Sequence, residues 1–558
     1  MDKHYDAIVV GSGISGGWAA KELTEKGLNV LVLERGKMVK HVRDYKGEHM
    51  PPWKIPYGGM PIDKLYDEEY AVQRNCYAFN ETTRHFWNND KLNPYDAGDS
   101  NFEWIRGDVV GGRSLMWGRH SYRLSDLDFN ANNVDGYGVD WPIRYQDIAP
   151  WYDYVESFIG VSGQPEGLEH FPDGNYLPPM ELNIAEKHFR KVLTGNYAER
   201  TLTIGRIAVL TKPHNGRGQC HYCGPCERGC SVGAYFSSQS STLPAAEKTG
   251  RLTLLSDMVV EKLEYDEQKK RVSAVHVINA TTGEKKSFRS KIVFLCASTI
   301  ATAQILLNSK SDRFPNGLGN DSGQVGRNLM DHTMGVFATG YFDTFQDYTE
   351  FGQRPTGIYI PRFRNISNEE NLPFVRGYGF QGRAKRDDWR AQLAESGDFG
   401  VDFKKHLETP GKWKMTLVGL GECLPNEDNR VTLAEKTDRF GIPQAKISFA
   451  YQKNEHEMMK DIGQEAEAML LTAGCKDVAV DIRPPVPGRT IHEMGTARMG
   501  NDAGTSVLNG WNQMHSVPNV FITDGSCMSS SSCVNPSLTY MALTARAADF
   551  AAKNIKTI

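Results

Sequence analysis

The first apolar run is short and unbroken. Residues 6–10 read D-A-I-V-V, and glycines follow at positions 11, 13 and 16. A continuous apolar run of this length, closed by glycine, predicts a strand buried on both faces. Trp18 to Glu25 has helical character, and Leu28 to Leu33 is a second apolar run ending at Glu34. The order is strand, glycine turn, helix, strand, acid. The most apolar stretch, Ile292 to Leu307, is broken by Ser298, Thr299, Thr302 and Gln304. No run of 18 apolar residues is present, so the pattern offers no membrane span. Near the other end, V-F-I-T-D-G from Val520 predicts a strand and a turn at Asp524-Gly525. Asn535-Pro536 then opens a last helix. Residues 336–465 alternate β-type runs with charged segments such as 383–390.

Composition narrows the class. The chain has 558 residues, 40% apolar and 24% charged, with a net charge of −4. Mean hydropathy is −0.48. This is ordinary globular composition, and the length predicts two or more domains or one large unit with an inserted lobe. Mild acidity without a basic face excludes nucleic acid as the main partner. The N-terminus enters a strand at once, with no charged and then apolar leader, so no signal peptide is expected on this chain. Segments 45–95 and 130–205 are rich in aromatic residues, the second containing W-P-I-R-Y-Q-D-I-A-P-W-Y. Such loops suit a sugar, whose faces stack on rings and whose hydroxyls need fixed partners. Any single one of these aromatics is better read as core.

The opening motif points to a dinucleotide. Gly11 permits the tight turn, Gly13 lets backbone N–H groups approach a pyrophosphate, and Gly16 lets the helix pack close to the strand. Glu34 stands where an acid accepts hydrogen bonds from an unphosphorylated ribose, which favours FAD or NAD over NADP.

Later segments separate those two cofactors. G-R-T-I-H-E-M-G-T-A-R-M-G spans 488–500, and V-F-I-T-D-G-S-C-M-S-S-S-S-C-V-N-P-S-L-T-Y follows from Val520. Together with G-D-V-V-G-G-R-S-L-M-W-G from Gly107, V-F-L-C-A-S-T from Val293 and G-Q-V-G-R-N-L-M-D-H ending at His332, they carry a resemblance over nearly the whole chain. The chain resembles the glucose–methanol–choline (GMC) family of flavin oxidoreductases. The resemblance implies an α/β fold: a Rossmann-like FAD-binding domain with an interleaved substrate-binding lobe of sheet plus helices. It implies FAD-binding pieces at 1–45, 96–129, 206–335 and 466–558, and substrate-lobe pieces at 46–95, 130–205 and 336–465. It assigns His492, in H-x-x-G-T, as the base that takes the substrate's hydroxyl proton, and Asn535 as its partner on the same oxygen. It places Gly111, Gly112, Ser114, Trp117, Val260, Asp524, Gly525, Asn535 and Pro536 with Gly11, Gly13, Gly16 and Glu34 around FAD. Members that attach flavin covalently use a His just before the Trp of the glycine-glycine segment. That position is Met116 here, so non-covalent FAD is expected. Trp117 itself stands where many members have Asn. His332, His214, His221 and His515 read as structural.

One stretch is foreign to flavin chemistry. Cys220 to Cys230 reads C-H-Y-C-G-P-C-E-R-G-C, so four of ten cysteines fall in eleven residues. The spacing C-x2-C-x2-C-x3-C is that of bacterial ferredoxins without the final proline, since Ser231 follows. Structural zinc uses separated pairs. The loop 217–233 is therefore expected to hold a [3Fe–4S] or [4Fe–4S] cluster on Cys220, Cys223, Cys226 and Cys230. Cys76, Cys296, Cys423, Cys475, Cys527 and Cys533 are scattered and show no disulfide framework.

These features resemble iron–sulfur-containing sugar dehydrogenase flavin subunits, of the glucoside 3-dehydrogenase and glucose or gluconate dehydrogenase type. The expected reaction oxidises a secondary hydroxyl of a sugar or glucoside, first choice C3, with electrons leaving to cytochrome c or a quinone. A small accessory subunit would carry the chain to the periplasm; a cytoplasmic enzyme is the alternative. The competing reading is a pyranose-type oxidase using O2. A non-catalytic electron-transfer or scaffold subunit is the third.

Overall fold

The strand predicted first is buried on both sides: Ala7, Ile8 and Val9 have no exposed surface. The computed structural model describes residues 4–60, 62–367, 371–386, 397, 399–408 and 411–558. Residues 1–3 of the N-terminal stretch and 387–390 of the charged segment 383–390 lie outside the described residues. The framework in chain order is β1 (Tyr5–Val10), α1 (Ile14–Glu25), β2 (Val30–Leu33), α2 (Tyr145–Ile159), β3 (Thr203–Ile204) and β4 (Leu252–Leu255). It continues with β5 (Ser290–Leu295), α3 (Thr299–Asn308), β6 (Thr333–Phe342), β7 (Ile358–Ile360), β8 (Tyr378–Arg386) and β9 (Trp413–Gly421). It closes with α4 (Lys453–Thr472), β10 (Lys476–Ile482), β11 (Val520–Ile522) and α5 (Ser537–Asn554).

The first sheet has the order β11-β5-β1-β2-β4. All its neighbours are parallel, with Ala7 facing Val30 on one side and Ile292 on the other. Parallel sheets need cover on both faces. Ala19, Ala20 and Leu23 of α1 and Ala547, Ala548 and Ala551 of α5 pack with Val9, Val30, Val32 and Phe294. Small residues on both helices let them approach the strands closely. The helix begins at Ile14, four residues before the predicted Trp18. Glycine-rich sequence is a poor helix former, yet a Cβ at Gly16 would stand 2.0 Å from the Gly11 carbonyl oxygen. Close packing overrides propensity there. The second strand starts at Val30 because Gly27, at φ +88°, turns the chain and Leu28 N–H still bonds the Leu23 carbonyl.

The second sheet is antiparallel, in the order β10-β6-β9-β8-β7-β3. Period-two alternation along β9 shows its two faces. Trp413, Met415 and Leu417 pack against Met458, Met459, Ile462 and Met469 of α4. Thr416, Val418 and Leu420 point the other way, into the central cavity.

The aromatic run 141–152 has a different fate from the sugar-stacking one. Trp141 and Tyr152 are fully buried. Trp141 Nε1 donates to Ser530 Oγ at 2.8 Å, and the Tyr152 hydroxyl lies 2.7 Å from Thr539 Oγ1. No residue of 130–205 lines the cavity. This segment buttresses the C-terminal loop and α5 from behind.

Candidate active site

Between the two sheets lies a cavity of about 860 Å³, at the upper end of the usual range for ligand sites. Its floor is the carboxyl end of the parallel sheet, and its roof is the inner face of β6, β8 and β9. Parallel α/β sheets bind ligands at this end.

The floor carries the dinucleotide residues. Gly11 turns at φ +93°, and a Cβ there would sit 2.4 Å from the Cys296 carbonyl oxygen. A Cβ at Gly13 would meet nothing within 4 Å, because that side faces the cavity. Gly13 is also the N-cap of α1, with no side chain capping the helix. The uncapped first turn presents N–H groups to the cavity, the arrangement that binds phosphate. The buried Glu34 accepts from Ser12 N–H at 2.9 Å, Ser12 Oγ at 2.6 Å and Gly36 N–H at 2.8 Å. Burial pushes its carboxyl up, while these donors pull the other way.

The other predicted cofactor residues divide into wall and support. Gly112, Ser114, Trp117, Val260, Gly525 and Pro536 line the cavity with Gly11, Gly13 and Glu34. Gly16 and Gly111 do not: Gly16 packs on Gly11, and Gly111 packs on Gln239. Trp117 is fixed by a 3.0 Å bond from Nε1 to the Phe236 carbonyl. Asp524 also lines the wall, yet protein donors fill its carboxylate. Ser298 N–H at 3.0 Å and Thr302 Oγ1 at 2.6 Å reach Oδ2, and Ser526 N–H at 3.0 Å reaches Oδ1. It ties β11 to α3. The start of α5, after Asn535 and Pro536, again has no side-chain cap and opens on the cavity. Two bare helix N-termini and a vacant Cβ position at Gly13 therefore fit the phosphates and the electron-rich ring edge of FAD.

At the junction of floor and roof stand His492 and Asn535. His492 Nε2 lies 3.2 Å from Asn535 Nδ2, and Gln381 Nε2 donates to Asn535 Oδ1 at 2.7 Å. His492 Nδ1 lies 2.9 Å from Nδ1 of His332. Burial first, then the neighbouring His332, Arg113 and His120, push the His492 imidazole well below its ordinary value. It is neutral at pH 7. The loop carrying it is strained: Ile491 has φ +65°, an outlier for a β-branched residue. Asp331 over-determines that loop, accepting from Gly488 N–H at 2.9 Å, from His492 N–H at 3.2 Å and from Thr490 Oγ1. Burial pushes the Asp331 carboxyl up to about 7. The Arg113–Glu493 pair at 2.8 Å braces the same loop.

Asp331, His332, Arg113 and Gln381 were missed as site residues in the sequence. The Asp331-His332 dipeptide was visible, but nothing local says that its ring reaches residue 492, 160 positions away.

The cysteine loop does not carry the expected ligand set. Among the described residues, no three His, Cys, Asp or Glu side chains converge as a metal-ligand set. The iron–sulfur cluster expected on Cys220, Cys223, Cys226 and Cys230 finds no support in that arrangement. Cys220, Cys226 and Cys230 pack against Met180, Ile207, Val209 and Tyr235, while Cys223 is exposed. Tyr222, Gly224 and Gly229 have positive φ and bend the loop between the cysteines. Burial pushes the Cys226 thiol up to about 11 and raises Cys220 and Cys230 as well. These are protonated thiols.

Comparison with known proteins agrees with the architecture. Two family models, both described as GMC oxidoreductase, match residues 5–334 and 425–544. A 2-methyl-1,2-propanediol dehydrogenase from Mycolicibacterium austroafricanum is 28% identical over 99% of this chain and 96% of its own. The fructose dehydrogenase large subunit of Gluconobacter japonicus is 26% identical, covering 99% and 98%. A pyridoxine 4-oxidase structure from Mesorbium loti superposes with a TM-score of 0.60 at 17% identity, over 98% of each chain. Matching relatives include both dehydrogenases and oxidases. The chain is an FAD-dependent oxidoreductase acting on CH–OH groups and belongs to the GMC oxidoreductase family.

Proposed function

We propose that this chain is a dehydrogenase of sugar or polyol hydroxyls, with a secondary ring hydroxyl, first choice C3 of a glucoside, as the oxidised position. The observation that carries the reading is the neutral His492 beside Asn535 in the cavity wall. When bound, without covalent attachment, FAD supplies the two-electron redox chemistry. His492 Nε2 takes the hydroxyl proton, and Asn535 Nδ2 donates to the same oxygen and holds it. Polar Gln381, Thr356 and Thr416 share the roof with apolar Phe337, Val418 and Leu420. That mixture suits a ring with hydroxyls on its edge and carbon on its face. The expected division, FAD-binding pieces at 1–45, 96–129, 206–335 and 466–558 with substrate pieces between them, is kept with one change: α4 and β10 (Lys476–Ile482) belong with the antiparallel sheet, which moves the last boundary from 466 to about 483.

A non-O2 acceptor, such as a cytochrome c, and a small accessory subunit complete the reading. They draw support from the relative named as a large subunit, and periplasmic placement would follow from such a partner. No described helix is long and apolar enough to cross a membrane. The four cysteines supply the right donor type for an iron–sulfur cluster, but no metal-ligand set is formed among the described residues, so no step here runs through one. Iron and acid-labile sulfide analysis of purified protein tests it.

The deciding experiment is an anaerobic screen of sugars, glucosides and polyols with a ferricenium acceptor, reading the product position by NMR. His492→Ala should lower kcat by about 10²–10⁴-fold. Turnover on O2 as fast as on ferricenium would convert the reading to an oxidase. Inertness toward every sugar and polyol would sink the substrate class.

A further inference from the structure

His332 has no exposed surface and does not itself line the cavity, yet its ring contacts the ring of His492. The two rings stand 5.0 Å apart between centroids at 80°, an edge approach that brings Nδ1 to Nδ1. Two facing imidazole nitrogens can bond only if one carries a proton and the other a lone pair. Which is which follows from the atoms at the far ends of the chain. His332 Nε2 lies 2.8 Å from the Ser532 carbonyl oxygen and 3.3 Å from that of Ser531. A carbonyl only accepts, so Nε2 must hold the hydrogen. In a neutral ring Nδ1 is then bare. His492 Nδ1, 2.9 Å away, must therefore be the donor, and His492 Nε2 is left with the lone pair.

The opposite end agrees independently. Asn535 Oδ1 accepts from Gln381 Nε2 at 2.7 Å, which turns the amide so that Nδ2, a donor, faces His492 Nε2 at 3.2 Å. Every donor in the row from Gln381 to Ser532 meets an acceptor. Reversing any one group would set two donors or two lone pairs against each other in a buried site.

We infer that His332 is a positioning residue that fixes the tautomer of His492, keeping the bare Nε2 toward the substrate hydroxyl. The inference rests on the reading of His492 as the base. His332 is not a proton relay, because its outer hydrogen points at backbone carbonyls that cannot take a proton. It also supports the ring after reaction, when protonated His492 still donates from Nδ1. Burial holds His332 down to about 4, so it stays neutral and keeps its lone pair across the working range.

The test compares His332→Leu, which removes the acceptor, with His332→Gln, whose amide can still accept from His492 and donate to Ser532. Holoenzyme labelled with 15N-histidine reports the tautomer by NMR, with the His492 resonances assigned by their loss in His492→Ala. Wild type should show the hydrogen on Nδ1. The leucine variant should move it to Nε2 and lose about 10²–10³-fold in kcat, with flavin content unchanged. The glutamine variant should keep the wild-type tautomer and stay within about tenfold in kcat. A wild-type His492 protonated on Nε2 overturns the inference, as does a leucine variant of normal kcat. Equal losses in both variants, tracking flavin loss or thermal midpoint, overturn it in favour of a purely structural role. If the leucine variant does not fold, the wild-type spectrum and the glutamine variant decide by the same criteria. Full activity in His492→Ala would instead overturn the assignment of the base and leave the hydrogen-bond row standing.

Discussion

Gln381 governs how Asn535 meets the substrate. Its Nε2 is the partner of Asn535 Oδ1, and without it the amide can rotate and offer Oδ1 to the lone pair of His492. Gln381→Leu removes one neutral hydrogen bond, worth about 0.5–1.5 kcal/mol. The expected result is a kcat lower by about 3–10-fold, with KM less affected, from steady-state rates on an artificial acceptor. A change confined to KM would mean that Gln381 binds substrate and does not orient Asn535. The same site sets the pH response. Burial and three cationic or potentially cationic neighbours push His492 down, so the base is already deprotonated well under pH 6.5. The acid limb of kcat/KM should lie below that value. An acid limb centred at 6.5 or higher would show that His492 titrates as an ordinary histidine. The strained Ile491 has a part in this, since the left-handed turn aims the next side chain into the cavity. Nothing in the sequence I-H-E-M marks that conformation; Asp331 with its three donors and the Arg113–Glu493 pair hold it.

The strand–turn–helix unit allows a sharper contrast between two glycines that look alike in sequence. At Gly13 an added methyl meets no protein atom; at Gly16 it meets the Gly11 carbonyl oxygen at 2.0 Å. Gly13→Ala should fold with an unchanged thermal midpoint as apoprotein and lose FAD affinity, since the methyl enters the space beside the helix N-terminus. Gly16→Ala should cost about 1–3 kcal/mol or more by overpacking, whatever the cofactor. Apoprotein melting and flavin titration separate the two. Loss of apoprotein stability in Gly13→Ala would refute the assignment of Gly13 to the ligand side. This unit was legible before the structure because glycine spacing, strand, helix and acid are all local. The α1 boundary was not, because it depends on contact between two glycines and defeats propensity. The aromatic run 141–152 was ambiguous for a related reason: a tryptophan in a core and one under a sugar have the same neighbours in sequence. Burial against Ser530 and Thr539 chose the core.

Across the whole molecule, what the sequence concealed is contact between distant segments. The four cysteines have a local spacing that matches a cluster, yet among the described residues they form no metal-ligand set. His332 and His492 have no such spacing and meet. That meeting has a cost measurable as global stability. His332 is pushed from 6.5 down to about 4 because burial disfavours its charged form. The unfolded chain therefore binds a proton between these values while the folded chain does not. Stability from this group is complete above about pH 6.5 and declines as pH falls toward 4. If the whole gap is realised, the decline is about 3 kcal/mol. Buried carboxyls such as Asp331, pushed up to about 7, run in the opposite direction, so the bare profile of wild type mixes both signs. The difference between wild type and His332→Gln isolates one of them, because the carboxyls are common to both. Thermal midpoints taken at intervals from pH 7.5 to 5 should show any deficit of the glutamine variant shrink or reverse as pH falls. A deficit constant across that range would mean that His332 is as easily protonated in the folded protein as in the unfolded chain.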